Sequence, residues 1–352
     1  MVGDLRPTPV DPKTAEPAFW NRFHAMRRVR QNESRPEDPL VPDDLEEQQI
    51  KRDDPFHIRQ RYEVAREGKM LSWLYCESIK PGTPEYESNR QFLEVDIFVD
   101  PQHRRQRIAT SWLPLVAQLM DRQGCTVLTL YSELESGHQF LKWIGAEPKL
   151  TEIENRLKLA DVDWAMVKRW AAEGPKRSPQ TKLEVYDGDI PESLWEEFAP
   201  QYSGLINTIP FEGLDHGEIK ITPDMMREWY TRMAMRGDVQ HTVVAREPDG
   251  SLSGITDVLW FPYRRTIIHQ QLTGVHPKAR GRGLGKWIKA AMLLHIREIY
   301  PDAEWIATEN AGSNEPMLAI NHRLGFKQQR VGTAYQMSRE RLGVRLKELG
   351  AG

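Results

Sequence analysis

The clearest pattern of apolar and polar positions in the chain begins at Thr266. From there to Val275 the residues are β-branched or alternate with polar ones, which predicts a half-buried strand. Pro277 ends this strand because proline has no N–H to contribute to the ladder. From about Gly283 the apolar residues recur at helical spacing until Pro301, which predicts a long helix. A strand, a glycine-rich turn and a helix therefore follow one another directly.

The same two patterns predict the other elements. Helical spacing of apolar residues predicts helices at 17–29, 108–122, 160–172, 191–198, 223–236 and 317–324. Alternation and β-branched runs predict strands at 58–65, 70–77, 183–186, 240–246, 252–260 and 305–309, and a strand that ends at Val99. Residues 202–221 follow neither pattern and are predicted to form an irregular loop.

An internal repeat relates the two halves of the chain. Val99-Asp-Pro is followed by Arg104, and 176 positions later Val275-His-Pro is followed by Arg280. The match continues to Gly145, which parallels a glycine near the end of the second half. The sequence therefore predicts two related domains in tandem.

A polar stretch separates the two copies. It begins at Gly174-Pro175, carries no apolar period and follows the predicted helix at 160–172. We therefore predict a first domain at 1–160, a helical segment and linker at 161–181, and a second domain at 182–352.

The glycine-rich turn of the second half carries anion-binding chemistry. Gly281, Gly283 and Gly285 leave the backbone N–H groups at the helix start uncovered, and basic side chains flank them. Two familiar phosphate motifs do not fit. The nucleotide P-loop needs Ser or Thr where Trp287 stands, and the dinucleotide fingerprint needs glycine where Lys286 stands.

What does fit is the pattern Gln/Arg-x-x-Gly-x-Gly/Ala, met by Arg280, Gly283 and Gly285 directly after a strand. This pattern resembles the pyrophosphate-binding motif of the GCN5-related N-acetyltransferase (GNAT) superfamily. The resemblance implies acetyl-CoA as acyl donor, with its pyrophosphate on the backbone amides of the turn. The residues implied for this ligand are Gly274, Val275, Arg280, Gly281, Arg282, Gly283, Leu284, Gly285, Lys286, Asn310 and Asn314. Taken alone, the motif leaves open a glycine-rich turn that binds nothing.

A second motif supports the same resemblance. Asn314-Glu-Pro opens a short predicted helix that ends at Gly325-Phe326, an ending common in the superfamily. The two motifs together imply an α/β (α+β) fold of two tandem GNAT-like domains. Each domain is then expected to be a mixed twisted sheet with helices on both faces.

The two copies differ at the turn. In the first, Arg107 stands where the second has a glycine, and a segment that contains Glu133 and Glu135 replaces the asparagine loop. A side chain at this position occupies space beside a pyrophosphate, and the two carboxylates add repulsion. We therefore predict that the first domain kept the fold and lost the ligand.

Acetyl transfer needs a group that removes the amine proton, and two residues are candidates. Glu309 ends the strand beside the central one and is preferred, while His269 lies about 20 Å before Val275 along the strand. In many relatives a tyrosine four residues before the Gly-Phe protonates the leaving thiolate, but Asn321 stands there. His322 and Tyr335 are the remaining candidates for that acid.

The expected acceptor is the primary amine of a small molecule. Glu212, Asp215 and Glu218 in the predicted loop suit a cationic amine, although they also read as solvated loop charge. Two other function classes stay open. One is a protein or peptide N-acetyltransferase whose first domain docks the target, and the other is an acyl-CoA-binding sensor without turnover.

Composition and charge limit the possible partners and locations of the protein. A net charge of -3, with 28% charged residues, argues against a nucleic-acid partner. The chain has no apolar run near the ~20 residues of a membrane span and no apolar signal core, so we expect a cytoplasmic protein without a membrane partner, either monomer or homodimer. Cys76 and Cys125 lie in apolar surroundings and are predicted to be buried thiols, and no metal is expected.

Overall fold

The computed structural model describes residues 5–350 of the chain. These residues form two compact units. The first unit comprises the chain up to Thr151, the segment Gly213–Glu218 and the chain from Gly332 onward. The second comprises Glu152–Glu212 and Ile219–Val331.

The first unit is built around one mixed sheet. Its strands are β1 (Thr8–Val10), β2 (His57–Arg66), β3 (Lys69–Ile79), β4 (Phe92–Val99), β5 (Val127–Ser132) and the last part of β12 (Lys327–Ser338), in that spatial order. Its helices are α1 (Pro17–Ser34), α2 (Asp43–Lys51), α3 (Tyr86–Asn89), α4 (Ile108–Ser111), α5 (Leu113–Gln123), α6 (Glu135–Ile144) and α12 (Arg339–Glu348). Strands β4 and β5 are parallel, and the other described neighbours in this sheet are antiparallel.

Helices cover both faces of this sheet, because strand β3 is apolar on both. Leu71 and Leu74 belong to the core formed with α5 and α12, whereas Met70 and Trp73 pack with α1. The register of β3 with β2 shifts between Met70 and Ser72, so residues three apart across this bulge share a face, and one helical layer lies on each side.

The second unit repeats the plan. Its strands are the last part of β6 (Glu147–Lys158), β7 (Lys182–Asp187), β8 (Val239–Arg246), β9 (Leu252–Trp260), β10 (Ile267–Val275) and β11 (Trp305–Ala311), in the spatial order β6-β11-β10-β9-β8-β7. Its helices are α7 (Trp164–Arg177), α8 (Trp195–Ile206), α9 (Pro223–Arg236), α10 (Leu284–Ile299) and α11 (Glu315–Leu324). Helices α7 and α10 pack on one face, and α8 and α9 on the other.

In each unit, the strand beside the parallel pair comes from a distant part of the chain. In the first unit β5 pairs with β12, from Thr333↔Ser132 to Ser338↔Val127. In the second unit β11 pairs with β6, from Trp305↔Lys158 to Ala311↔Glu152. The predicted boundaries at 160 and 182 therefore differ from the two compact units. Strand propensity reveals that a strand exists, and only the pairing decides which sheet it completes.

The predicted bounds of two helices and one strand are wrong, and in each case the element is longer. Helix α8 continues through Pro200 into the predicted loop, because Leu205 is buried in the same core as Phe198. Helix α7 continues into the predicted linker as far as Arg177, and Gly174 within it lies against Trp287. Strand β11 includes the predicted turn residues 310 and 311. Within residues 5–350, no helix is long and apolar enough to cross a membrane.

Candidate functional site

Two parallel strands of the second unit separate at the middle of its sheet. In the described ladder, β10 and β11 pair from Ile267↔Trp305 to Gln270↔Thr308, and β10 then continues to Val275 without further pairing to β11. The two strands therefore open a cleft toward their carboxyl ends. Gly274 and Val275 form the β10 side of this cleft and pair on their other side with β9.

A bulge interrupts β10 just where the cleft opens. The register with β9 shifts between Gln270 and Thr273. Gln270 Nε2 lies 3.0 Å from Thr256 Oγ1, and Thr273 Oγ1 lies 2.8 Å from the same atom. Residues 270 and 273 therefore share a face, which strict alternation forbids. Side chains therefore do not alternate strictly between the two faces from His269 to Val275.

The glycine-rich turn lies at the start of α10, directly after β10. Gly281 has φ +80° and Gly283 has φ +83°, both in the left-handed region that favours glycine. A Cβ atom at Gly281 meets nothing within 4 Å. The backbone of this turn is therefore accessible, as an anion cradle at a helix N-terminus requires.

The basic residues around the turn have different roles. Arg282 forms an ion pair with Glu247 at 2.9 Å and hydrogen bonds with Ser178 and Thr181. Its guanidinium group therefore already binds protein partners. Lys286 Nζ lies 5.4 Å from the centre of the Trp170 ring. Among the other residues predicted to bind acetyl-CoA, Arg280 is exposed and Leu284 is buried. A Cβ atom at Gly285 would lie 3.2 Å from the Ile320 side chain.

A cation absent from the predicted set lies on the turn itself. Arg177, the last residue of α7, donates from Nη2 to the Gly281 carbonyl oxygen at 3.1 Å. Its guanidinium carbon lies 3.1 Å from the position of a Cβ atom at Gly283. The sequence places Arg177 in a polar stretch more than 100 residues earlier, so no local signal links it to the turn.

A buried polar chain lies between α10, α11 and the end of β11. Lys289 Nζ donates to Asn321 Oδ1 at 2.8 Å, and Asn321 Nδ2 donates to Asn310 Oδ1 at 2.8 Å. Burial lowers the pKa of Lys289 to about 7. Asn310 thus lies in the cleft region, and its side chain is held by the buried Asn321, which Lys289 holds in turn. Asn314, by contrast, precedes α11 without a side-chain cap hydrogen bond.

The two predicted catalytic residues share one face of the sheet. His269 pairs with Ala307, and Glu309 follows two residues later along β11, or about 7 Å. Glu309 is exposed on the part of β11 beyond the paired segment, whereas the half-buried ring of His269 packs edge to face on Phe261 at 5.1 Å. The structure therefore places Glu309 at the cleft and His269 behind it.

Other acidic residues join Glu309 on this face. Glu152 pairs with Ala311, so its side chain lies on the same face as Glu309. Burial, and then the Glu309 carboxylate, raise the pKa of Glu152. Glu154 pairs directly with Glu309, but its carboxylate forms ion pairs with Arg156 at 2.7 Å and Arg330 at 2.9 Å.

A further carboxyl group lies beneath α8. Asp257 Oδ2 accepts hydrogen bonds from Gln240 Nε2 at 2.8 Å and from Tyr202 Oη at 3.3 Å. Burial raises the pKa of Asp257 to about 7, against these hydrogen bonds, which lower it. The sequence pattern did not single out Asp257, because a polar residue is expected at every second position of a half-buried strand.

The acidic residues of the predicted acceptor loop belong to different compact units. Glu212 lies in the second unit, where its carboxylate accepts from the Ser313 backbone N–H at 3.0 Å. Asp215 and Glu218 lie in the first unit, and the Asp215 backbone N–H donates to Gln336 Oε1 at 2.8 Å. The loop therefore divides between the two units, and its role in acceptor binding stays a prediction.

The first unit keeps the shape of the turn without its glycines. Arg105 has φ +63° and Arg107 has φ +64°, and they lie 176 positions before the left-handed Gly281 and Gly283. A left-handed conformation costs a non-glycine residue about 1–2 kcal/mol. The surrounding fold therefore imposes the turn even on residues that disfavour it.

A cavity of about 830 Å³ lies beside this first turn. Its lining includes Arg107, Tyr131, Phe140 and Leu349, the residue after α12. As in the second unit, the parallel strands pair over only four described positions, from Phe92↔Val127 onward, and then separate. The repulsion expected from Glu133 is reduced, because its carboxylate lies 3.3 Å from Arg35.

Both cysteines are buried free thiols, as predicted. Burial raises the pKa of Cys76 to about 12 and that of Cys125 to about 11. Both thiols therefore stay protonated at neutral pH, which argues against a nucleophilic role.

Comparison with known proteins adds to this geometry. No protein-family model and no curated protein matches the chain. Among solved structures, a tandem GNAT protein from the clavulanic acid biosynthesis pathway, solved without AcCoA, aligns with a TM-score of 0.70 and 20% identity, over 96% of this chain and 99% of that one. A GCN5-related N-acetyltransferase from Sphaerobacter thermophilus aligns with a TM-score of 0.59 and 12% identity, over 95% of both chains.

A third solved structure is the GCN5-related glucosamine N-acetyltransferase region of a fungal multi-domain GH3 beta-N-acetylglucosaminidase. It aligns with a TM-score of 0.63 and 13% identity, over 94% of this chain and 38% of that one. At these levels of identity the similarity shows the fold alone. The two units, the parallel strands that separate in each, and the turns described above agree with that fold. The chain has the tandem GNAT fold.

Proposed function

We propose that the chain is an acyl-CoA-dependent N-acetyltransferase that moves an acetyl group from acetyl-CoA to the primary amine of a small molecule. The reaction is assigned to the second unit. The observation that carries this proposal is the left-handed glycine pair, Gly281 and Gly283, at the start of α10 beside the open cleft.

The turn fits the pyrophosphate of acetyl-CoA. Its backbone is uncovered at Gly281, its N–H groups lie at a helix N-terminus, and Arg177 supplies a positive charge beside it. Bound acetyl-CoA supplies an activated thioester. The cleft edge at Gly274 and Val275 is the surface along which its pantetheine arm lies, and the bulge before it interrupts the backbone ladder. Backbone N–H groups released from a ladder can donate to a carbonyl oxygen.

The acidic pair at the end of β11 favours a cationic amine as the acceptor. Glu309 is exposed there, and Glu152 lies diagonally across on β6. Two carboxylates on one face of the sheet attract an ammonium group, and one of them can accept the proton that it must lose before attack. We therefore assign the base to Glu309, with Glu152 as its neighbour, and place His269 behind the cleft. Asn321, an amide, cannot protonate the leaving thiolate.

The test is substitution of Gly283 by Asp. The added side chain and negative charge stand where the pyrophosphate approaches, so binding of acetyl-CoA should be abolished in isothermal titration calorimetry. Gly250→Asp is the matched control. Gly250 also has a left-handed φ of +88°, but it lies in the turn between β8 and β9, and its Cβ position is 3.9 Å from the closest atom. Unchanged affinity in folded Gly283→Asp refutes the assignment.

Turnover separates this proposal from the other function classes. Release of free CoA should be followed with a panel of small amines and with lysine-containing peptides. Release with the small amines supports the proposal, release with peptides alone points to a protein-modifying enzyme, and binding without release points to a sensor. The cytoplasmic location and the oligomeric state stay predictions from the sequence.

A further inference from the structure

Three potential metal ligands meet on the second unit, away from the glycine-rich turn. Asp187 ends β7, His241 lies on β8 and His295 lies on α10. One ligand atom from each lies within 4.8 Å of the other two. His295 comes 11 residues after the start of α10, or about 17 Å along the helix axis, so this cluster is separate from the proposed acyl-transfer site.

The three side chains already converge on one oxygen atom. His241 Nδ1 lies 2.8 Å from Asp187 Oδ1, and His295 Nε2 lies 2.5 Å from the same atom. Ligands of a tetrahedral ion lie about 3.3 Å apart, given metal–ligand distances of about 2 Å. The Asp187 side chain is 60% exposed and can move outward by this small amount, which also provides a route for the ion.

The remaining nitrogen of His241 has the partner that a metal-bound histidine needs. His241 Nε2 lies 2.8 Å from Tyr300 Oη, and the Tyr300 ring stacks on Trp260 at 5.0 Å. With its proton on Nε2, His241 would donate to Tyr300 and leave Nδ1 free to bind an ion in place of its hydrogen bond to Asp187.

We propose that Asp187, His241 and His295 bind one divalent transition-metal cation of the Zn²⁺ or Co²⁺ class. Two imidazoles and one carboxylate, without thiolates, suit these ions better than Mg²⁺ or Ca²⁺, which prefer all-oxygen sites. The ion cross-links β7, β8 and α10, whose ligands are spaced 54 residues apart along the chain. It stabilises the second unit because the site exists only in the folded chain.

The experiment uses the full chain, freed of metal by dialysis against a chelator. Titration with ZnCl₂ should show one site per chain, and CoCl₂ should give a visible d–d absorption band. His295→Gln and Asp187→Asn should each weaken Zn²⁺ binding by at least ~10-fold and remove the Co²⁺ band. Tyr300→Phe, which keeps the stacked ring and loses the hydroxyl, should weaken binding by a smaller factor. Zn²⁺ should also raise the melting temperature of the wild type and not that of His295→Gln.

His216→Gln is the control, because His216 is exposed and lies outside the cluster. It should bind Zn²⁺ as the wild type does. Circular dichroism and the metal-free melting temperature check that each variant is folded, and the two ligand variants alter partly exposed groups. The proposal is overturned if the wild type shows no saturable Zn²⁺ or Co²⁺ binding. It is equally overturned if both folded ligand variants bind like the wild type.

Discussion

Replacement of Lys289 by Met should stabilise the protein at neutral pH and lose that advantage as the pH rises. Burial lowers the pKa of Lys289 from its ordinary value of 10.5 to about 7. The unfolded chain therefore binds this proton more tightly than the folded one between these two pH values, and the free energy of unfolding rises with pH across that window. The full difference corresponds to about 5 kcal/mol, of which about 4 kcal/mol applies at pH 7.

Methionine removes this electrostatic penalty and fills a similar volume. It also leaves Asn321 Oδ1 without its 2.8 Å donor, and an unsatisfied buried acceptor costs about 1–3 kcal/mol. The net expectation at pH 7 is therefore a gain of about 1–3 kcal/mol. By pH 9 the penalty in the wild type has fallen by about 2 kcal/mol, so the gap between the two proteins should close or reverse.

Urea unfolding at pH 7 and pH 9, with both proteins side by side, measures this gap. The first unit is the same in both chains, so its contribution cancels in the difference. Lys286→Met is the control: this lysine lies on the same helix but is only partly buried, and the pH dependence should stay that of the wild type. A gap that is constant between pH 7 and pH 9, or one that widens, refutes the reasoning from burial.

Three further predictions follow from the packing and the site. Gly174→Ala should lower the melting temperature and weaken acetyl-CoA binding, because its Cβ atom would lie 2.1 Å from the Trp287 ring on α10. An unchanged melting temperature and an unchanged affinity would contradict the tight contact between α7 and α10. Glu309→Gln should lower turnover at saturating substrate by an order of magnitude or more, and a near wild-type rate in this variant together with a tenfold loss in His269→Ala reverses the assignment. Calorimetry should give one acetyl-CoA per chain, since Arg107 replaces the glycine of the first turn; two equivalent sites would show that its cavity still accepts the ligand.

The sequence alone was informative wherever a local pattern carries the structure. The period of apolar residues located strand β10 and helix α10, because each buries one face against a neighbour. The spacing of Gly281 and Gly283 located the turn, since only glycine adopts the left-handed backbone without cost. The 176-residue repeat showed that a second copy of the plan exists, and the backbone at Arg105 and Arg107 follows it.

The candidate site was only partly predictable. Glu309 was predicted near the end of the strand beside the central one, because the run of strand-forming residues stops there. The face of the later residues of β10 could not be predicted, because the bulge between Gln270 and Thr273 changes it. Arg177 could not be connected with the turn, since its position depends on how α7 packs on α10.

What only the tertiary structure decided involves residues far apart in the chain. Which strand completes each sheet depends on pairing free energy over a whole ladder, and no local propensity encodes it for β6 or β12. Lys289 occupies a polar position within an amphipathic helix and becomes a group with a displaced pKa only because Asn321 and the core enclose it. Asp187 and His241, likewise, are isolated polar residues in two strands until β7, β8 and α10 bring them together with a second histidine.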